Sequence, residues 1–441
     1  MTRVSAKRAS VNNRSSFATS FILLCLVQLV FQTAHARSSY TYDGDFEAFG
    51  AAHLLSPGGP QAERLSLAFE QKATFSKKWS GVIGFSAWED SVYASAPTRY
   101  SQQLASEDSL DVRFREAFIQ YKSDNFLLKM GNQQVVWGEA FGNFYSDIIN
   151  PKDFRNGLYG DFNRVRLQIP MINSKVIFSK FSIQGIYIPI ASFDILPQPG
   201  SDYFPVKDFT PFQSLKIHRE LGNTIAKSQS EFGGRATVLL GGWDFSVFGF
   251  NHLDREPYYS INPATTATTL SLDEIHSRAM TYGATLTKDL GFTVLRFEGV
   301  KTAARTVPLL TPGSVSSVKT DESIYVVGLD LPTISEFNFS AQWSQDKLNT
   351  QAIGLLRSPV QSLISFRIQK PLFRKHDLEL IYTRDVADRG ERAQLNYMIP
   401  ISGSLESHFG VDFFAGPPES DFGRITKASR AYVMLKSYIK D

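Results

Sequence analysis

The sequence predicts an all-β fold, a transmembrane antiparallel β-barrel of about 18 strands, with 16 strands as the alternative. Three observations predict it: an N-terminal export signal, segments that alternate apolar and polar residues up to the C-terminus, and connections that alternate between short and long. Strict alternation at 64–70, 392–397 and 405–413 is typical of strands with one apolar and one polar face. We expect such an exported chain in the cell outer membrane, because a closed barrel satisfies every backbone hydrogen bond in lipid.

Residues 1–36 have the three parts of a cleaved signal peptide. The basic n-region contains Arg3, Lys7, Arg8 and Arg14. An apolar h-region runs from 21 to 31, too short to span a membrane as a helix, and Ala34-His35-Ala36 is a small-x-small cleavage site. The sequence therefore predicts export, a mature chain beginning at Arg37, and a barrel made by 37–441.

The composition excludes several classes of protein. The 46 basic and 43 acidic residues nearly balance, which does not favour a nucleic-acid surface. Cys25 lies in the h-region, so the mature chain has no disulfide or cysteine metal site. No mature segment has 18 uninterrupted apolar residues, which excludes inner-membrane helices. Aromatic residues make up 13% of the chain and Phe occurs 35 times, as the lipid face and girdles of a barrel require.

The predicted strands are spread over the whole mature chain. They lie near 41–52, 62–76, 79–90, 109–122, 125–137, 165–178, 181–190, 229–241, 242–254, 274–288, 290–303, 320–331, 335–347, 358–370, 376–386, 390–400, 402–414 and 426–438. Tight connections at 77–78, 123–124, 241–242, 289, 332–333 and 401 alternate with longer ones at 91–108, 138–164, 191–228, 255–273 and 304–319. Short periplasmic turns and long outer loops are typical of an outer-membrane barrel, so both termini are expected in the periplasm.

Alternation also sorts the side chains between lipid and lumen. Leu65, Leu67 and Phe69 are expected to face lipid. The candidates for the lumen lining are Arg64, Glu70, Lys72, Arg166, Arg367, Arg392, His408 and Asp412. Two interpretations stay open: these charges pair into a network that stiffens the barrel, or a net basic lumen favours anions.

The densest group of candidate functional residues follows the fifth predicted strand. It comprises Gln133, Trp137, Glu139, Asp147, Asn150, Asp153 and Arg155. One interpretation is a structural corner that packs a loop into the barrel, and the other is a polar constriction that contacts a ligand. The long loop 191–228 adds Tyr203 and Phe204 among four prolines, and we expect it to fold inward as a second constriction. A short helix is predicted at 211–221.

The corner resembles a known family. Gly131-Asn132-Gln133-Gln134-Val135-Val136-Trp137-Gly138-Glu139, followed by Ile149-Asn150-Pro151-Lys152-Asp153, is similar to the signature of a proteobacterial outer-membrane family, domain of unknown function 1302. Segments 169–171 and 196–209 resemble further parts of that family. The resemblance implies an outer-membrane barrel, often beside envelope transporters of the resistance-nodulation-division type that handle lipids, and implies no catalytic residue. The corner is also similar, more loosely, to the corresponding segment of alginate-export and phosphate-selective porin barrels.

Nothing in the sequence favours an enzyme, a metal site or a cofactor. The six mature histidines form no H-E-x-x-H motif or closely spaced pair. Ser407 and His408 are neighbours on a strand, so their side chains point to opposite faces. The first functional hypothesis is therefore a porin-like channel for a small solute or amphiphile. The second is a plugged barrel that hands lipid to, or docks, a transporter of the resistance-nodulation-division type. Expected partners are outer-membrane lipid, the barrel-assembly machinery and a periplasmic or transporter partner, without nucleic acid.

Overall fold

The computed structural model describes residues 39–157, 162–205, 211–219, 229–311, 313–333, 335–373 and 375–440. The predicted signal peptide, 1–36, lies outside the described residues, as do parts of the long loop 191–228.

Eighteen strands form one antiparallel sheet that closes on itself, because β1 pairs with both β2 and β21. They are β1 (Ser39–His53), β2 (Pro60–Thr74), β3 (Trp79–Asp90), β4 (Leu110–Lys122), β5 (Phe126–Gln133), β6 (Ile169–Ile177), β7 (Phe181–Ile188), β9 (Glu231–Leu240), β10 (Trp243–Leu253), β13 (Arg278–Asp289), β14 (Val294–Thr311), β15 (Ser314–Asp330), β16 (Asn338–Leu348), β17 (Val360–Leu372), β18 (His376–Asp385), β19 (Glu391–Pro400), β20 (Leu405–Ala415) and β21 (Arg430–Lys440). The prediction of an 18-stranded antiparallel barrel is confirmed.

Three more strands, β8 (Ser214–His218), β11 (Tyr258–Ile261) and β12 (Thr269–Ile275), form a separate small sheet. Short helices stand in the connections: α1 (Val92–Ser95), α2 (Gln102–Asp108), α3 (Phe162–Val165), α4 (Asp421–Arg424) and a 3-10 turn (Thr426–Ala428). No helix of the described residues is long and apolar enough to cross a membrane.

The two ends of the barrel differ. At one end, called the turn end, neighbouring strands are joined by short turns such as 241–242, and β1 begins and β21 ends there. At the other end, called the loop end, the connections include the long segments 134–168, 189–230 and 254–277.

The outer face of the wall is apolar. Leu65, Val112, Ile183 and Phe366 are each about half exposed, with 49–56% of their surface accessible, and many other large apolar side chains share this face. A continuous belt of exposed apolar side chains would be unstable in water, and it matches the lipid-facing band of a membrane barrel.

Three local expectations from the sequence are wrong. The fifth strand ends at Gln133 instead of 137, because the chain leaves the wall there and turns inward. Residues 304–319 are not a loop: β14 and β15 continue pairing from Arg305–Thr320 to Thr311–Ser314. The described part of 211–221 contains no helix, because Leu215 and Ile217 alternate on the buried face of β8, which pairs parallel to β12.

Candidate functional site

A hydrogen-bonded corner lies where the chain leaves β5. The Asn150 side chain is fully buried; its Oδ1 accepts from Val135 N at 2.7 Å, and its Nδ2 donates to the carbonyl oxygens of Gln133 (3.0 Å) and Leu167 (2.8 Å). The Asn150 amide therefore joins, by hydrogen bonds, the segment that leaves the wall after β5 and the segment that returns to the wall before β6.

Trp137 fixes the direction in which the chain enters the barrel. Its ring is buried, and the ring centroid lies 5.3 Å from that of Phe248. Its Nε1 donates to Gln184 Oε1 at 3.0 Å. Gln184 also donates to Asn173, and Asn173 donates to Gln133, so an amide chain runs beneath the tryptophan. The indole thus has both an apolar partner and an acceptor for its N–H, as a buried tryptophan requires.

Residues 139–146 form an excursion into the lumen, here called the inner loop. The two ends of the inner loop lie close together. A Cβ added to Gly138 would lie only 3.1 Å from Asp147 N, so a glycine at this position permits the close approach of the two ends. The carboxylate of Glu298, on β14, accepts from Glu139 N at 2.6 Å, Ala140 N at 2.9 Å and Ser146 N at 3.2 Å. A single side chain of the wall therefore holds both ends of the loop.

The inner loop reaches strands far from its origin. Gln342, on β16, exchanges two hydrogen bonds with the Phe141 backbone, at 3.1 and 3.0 Å. Arg392, on β19, donates to the Gly142 carbonyl at 3.0 Å. Because β5 and β19 lie on opposite sides of the barrel order, the loop crosses the lumen.

The return chain is held by a buried ion cluster. The Arg155 guanidinium donates to Asp111 at 2.5 Å and to both oxygens of Asp153 at 2.6 and 2.9 Å, and lies 4.9 Å from the Trp88 ring. Arg113 pairs with the same two carboxylates. These contacts fix the segment 153–157 against β3 and β4.

A second segment, 191–205, covers the loop end and is here called the outer segment. The outer segment starts after the end of β7, and its Asp194 Oδ1 accepts a hydrogen bond from Lys152 N at 2.8 Å. It ends near β1 and β20, where Asp202 Oδ2 lies 3.1 Å from His53 Nε2 and accepts from the Tyr100 hydroxyl at 2.9 Å. Tyr203 packs on Phe414, and Phe204 packs on Leu215, Ile217, Leu270 and Leu272 of the small sheet.

Beside the inner loop a cavity of about 680 Å³ remains open. Strands β1–β4 and β17–β21 form its wall, and the inner loop and the return chain line the rest, through residues 140–142, 153, 156–157 and 164–168. Its cations are Arg64, Arg113, Arg115, Arg164, Arg166, Arg367, Arg430 and Lys436, and its carboxylates are Glu47, Asp153, Glu379, Glu406 and Asp412. The geometry thus divides the lumen into a filled half, along β9–β16, and an open half.

A sequence model of the family described as "Protein of unknown function (DUF1302)" matches residues 5–347. The chain belongs to this family. The resemblance of the corner is thereby confirmed. A search of curated protein sequences found no match.

Solved structures share the fold of this DUF1302 protein. OccAB2 of Acinetobacter baumannii is 9% identical with a TM-score of 0.51, and OccK8 (OprE) of Pseudomonas aeruginosa is 7% identical with the same TM-score; each match covers 91% of this chain and 98% of that chain. A loop-deletion mutant of OmpT, an outer membrane protein of Vibrio cholerae, is 10% identical with a TM-score of 0.45, over 92% of this chain and 100% of that chain. The DUF1302 chain has the fold of a porin-like β-barrel.

The structure of the DUF1302 barrel brings most of the candidate residues to the corner or the cavity. Gln133, Trp137, Asp147 and Asn150 are buried in the corner, where Asp147 pairs with Arg166. Glu139 lies on the filled side of the inner loop and accepts from Thr287 at 2.8 Å. Tyr203 and Phe204 belong to the outer segment.

The lumen-lining candidates divide into three groups. Arg64, Arg166, Arg367, His408 and Asp412 border the cavity. Arg392 instead lies under the inner loop, and Glu70 and Lys72 pair with each other at 3.1 Å nearer the turn end. Within the described residues, no group of three or more His, Cys, Asp or Glu side chains is arranged to hold a metal ion.

Sequence reasoning missed the residues that hold the two inward segments. Glu298 was not singled out, and the contacts of Asp202 with His53 and Tyr100 were not predicted. The available signal was weak: Glu298 is one of several charged residues of β14, which also contains Arg296, Lys301 and Arg305. Its three backbone partners lie more than 150 residues away in the chain.

The ion cluster predicts a pH-dependent stability. Burial alone would raise the pKa of the Asp153 carboxyl, but the Arg155 and Arg113 guanidinium groups outweigh it and lower the pKa from 3.8 to about 2. The stabilisation by the charged form is therefore present above pH 3.8 and is lost as the pH falls through about 2. We expect Asp153→Asn to lower the free energy of unfolding by about 2 kcal/mol at neutral pH, and the difference from the unaltered protein to disappear near pH 2.

Thermal unfolding in detergent across this pH range measures the effect. Asp124→Asn is the matched control, because Asp124 is exposed in the turn between β4 and β5. A constant difference between Asp153→Asn and the unaltered protein at every pH would contradict the assigned ion pairing.

Proposed function

We propose that this barrel is an outer-membrane channel through which a small solute or amphiphile passes beside the inner loop. The observation that carries the proposal is the open half of the lumen: a cavity of about 680 Å³ between a wall of nine strands on one side and the inner loop and its return chain on the other. Barrels of this strand number enclose an aqueous channel unless an inserted segment fills it. Here the inserted loop is held against one half of the wall.

The proposal includes the direction of the barrel and its delivery. Residues 1–36 act as a cleaved export signal, the turn end faces the periplasm, and the loop end faces outward. Solutes then meet the outer segment first and the cavity second. Both termini of the mature chain lie in the periplasm.

A blocking substitution tests whether the cavity is the pathway. Ser66 and Ser86 are small residues of the cavity wall on β2 and β3. We expect Ser66→Trp to lower the single-channel conductance in planar bilayers by roughly half, because an indole occupies a large part of a narrow polar pathway.

The matched control is Ser340→Trp, on the lumen face of β16, where Ser340 donates to Asp330 at 2.7 Å. If ions pass through the open half only, Ser340→Trp leaves the conductance unchanged. Equal losses in both variants, or none in either, would show that the cavity is not the pathway.

The outer segment favours a second candidate function, a plugged barrel that hands lipid to or docks a resistance-nodulation-division transporter. Tyr203 lies over the outer end of the cavity, 6.0 Å from the Arg430 guanidinium, and Asp202 is held by His53 and Tyr100. Absence of conductance, together with copurified lipid detected by mass spectrometry or a copurified periplasmic transporter, would favour this function over a channel.

A further inference from the structure

The open cavity has an apolar strip on its wall, which a water-filled lumen does not need. Phe49, Tyr432 and Met434 border the cavity from β1 and β21. The Phe49 and Tyr432 rings contact each other with centroids 5.4 Å apart. The strip therefore offers apolar surface to whatever occupies the cavity.

The position of Tyr432 depends on a glycine of the neighbouring strand. A Cβ added to Gly410 would lie only 2.1 Å from the Tyr432 ring, so the ring lies against the bare backbone of β20. This close approach keeps the ring on the wall instead of across the cavity. The result is a broad apolar surface that leaves the pathway open.

Cations lie at both ends of the strip. Arg430 lies 5.2 Å from the Phe49 ring and 5.7 Å from the Tyr432 ring. Lys436 follows Met434 by two residues on the same face of β21, and its ammonium lies 5.0 Å from the centroid of the Tyr438 ring. The wall therefore presents two apolar side chains and then a cation in one row.

Lys436 has no carboxylate within ion-pairing distance in the described part of the chain. Its register neighbours Glu47 and Glu406 have other partners: Glu47 accepts from Arg164 at 2.7 Å, and Glu406 accepts from Tyr438 at 2.6 Å and contacts His408 at 3.0 Å. Lys436 thus borders the cavity with its ammonium over the Tyr438 ring and without an ion-paired carboxylate among the described residues.

The other charges of the cavity show the same bias. Eight cations but five carboxylates border it, and Arg115 on β4 also has no ion pair among the described residues. Asp90, which pairs with Arg64, does not border the cavity, and neither does Asp111, one of the two carboxylates that pair with Arg113. A solute in the cavity is therefore closer to guanidinium groups than to the acids behind them, and such a site favours anions.

We propose that the cavity binds amphipathic anions, with an apolar body on the Phe49–Tyr432–Met434 strip and an anionic head at Lys436. This inference deepens the proposed function, since it names the class of solute that the channel takes. A medium-chain fatty acid anion combines the two properties, and acetate or an alkylammonium ion has only one of them.

The experiment compares three probes on the barrel in lipid nanodiscs and in planar bilayers. Octanoate has both the apolar body and the negative charge, acetate has only the charge, and octyltrimethylammonium has the body with the opposite charge. Calorimetric titration into nanodiscs, with empty nanodiscs as the blank, measures binding; block of the single-channel current measures occupancy of the pathway. We expect octanoate to bind and block at concentrations at least roughly tenfold lower than either other probe.

Variants then separate the two halves of the site. Tyr432→Ser is expected to weaken octanoate binding roughly tenfold, and Lys436→Gln to weaken it several-fold and to reduce its preference over octyltrimethylammonium. Lumen substitutions of this kind tune a barrel without unfolding it. Phe373→Ser and Lys180→Gln, in turns at the turn end, are the matched controls and leave binding unchanged.

Each outcome decides the inference. Conductance without octanoate binding overturns the amphipathic-anion site but leaves the channel. Octanoate binding in the expected order, lost in Tyr432→Ser, without any conductance supports the site and overturns the channel. Equal binding of octanoate and octyltrimethylammonium, or of octanoate and acetate, overturns the site.

Discussion

Removing the inner loop is expected to raise the single-channel conductance by roughly twofold to fivefold, because the filled half of the lumen then becomes aqueous. The change replaces residues 139–146 with two glycines between Gly138 and Asp147. The backbone permits this deletion, since Gly138 already lies against Asp147 N. Trp137 and Asn150 stay in place, so the corner keeps its hydrogen bonds.

A matched deletion controls for the loss of chain. Residues 264–267 form the exposed connection between β11 and β12 at the loop end, away from the cavity. Replacing them with two glycines is expected to leave the conductance unchanged. Should the inner-loop deletion conduct no better than the control, the narrowest point lies in the outer segment.

A milder variant keeps the loop and removes its anchor. In Glu298→Ala, the backbone N–H groups of Glu139, Ala140 and Ser146 lose their common acceptor. We expect the mean conductance to change little and the current noise to increase, because the loop then samples more than one position. The recordings that measure the deletion also measure this noise.

The wall could be predicted from the sequence because lipid imposes one rule on every strand. A side chain facing lipid must be apolar, so alternation persists through strands as far apart as β2 and β20. All 18 strands of the barrel correspond to segments with that period. The errors fall at strand ends and within loops, as at Gln133, where no lipid constrains the side chains.

The interior could not be predicted in the same way. The inner loop is positioned by Glu298, Gln342 and Arg392, which are 150 to 250 residues away in the chain. No local pattern indicates which lumen residue meets which loop residue. The strip at Phe49 and Tyr432 was missed for a different reason: alternation places both on the lumen face, but a lumen was assumed to be polar.

The corner could be predicted from the sequence only in part. Asn150-Pro151 predicted a turn, and the family signature indicated that the corner matters, but only the fold shows that the Asn150 amide joins two chain segments. Its role gives the corner a measurable share of the stability of the barrel. A turn alone would tolerate many polar residues at this position.

Asn150→Ala is expected to lower the free energy of unfolding by about 3 kcal/mol, because it leaves one N–H and two carbonyl groups buried without their partner. The unpaired groups are Val135 N, Gln133 O and Leu167 O. Urea or thermal unfolding in detergent, followed by circular dichroism, measures the change. Asn143→Ala is the matched control, since the Asn143 side chain hydrogen-bonds to its own neighbours in the inner loop, Phe144 N at 2.9 Å and the Tyr145 side chain.

The control is expected to stay within about 0.5 kcal/mol of the unaltered protein. Equal stability of Asn150→Ala and Asn143→Ala would show that the hydrogen bonds of the Asn150 amide do not stabilise the barrel. Conductance adds an independent test: since Asn150 fixes where the inner loop leaves and rejoins the wall, its loss should also increase current noise, as in Glu298→Ala. A large loss of stability with unchanged noise would mean that the corner supports the barrel but does not set the position of the inner loop.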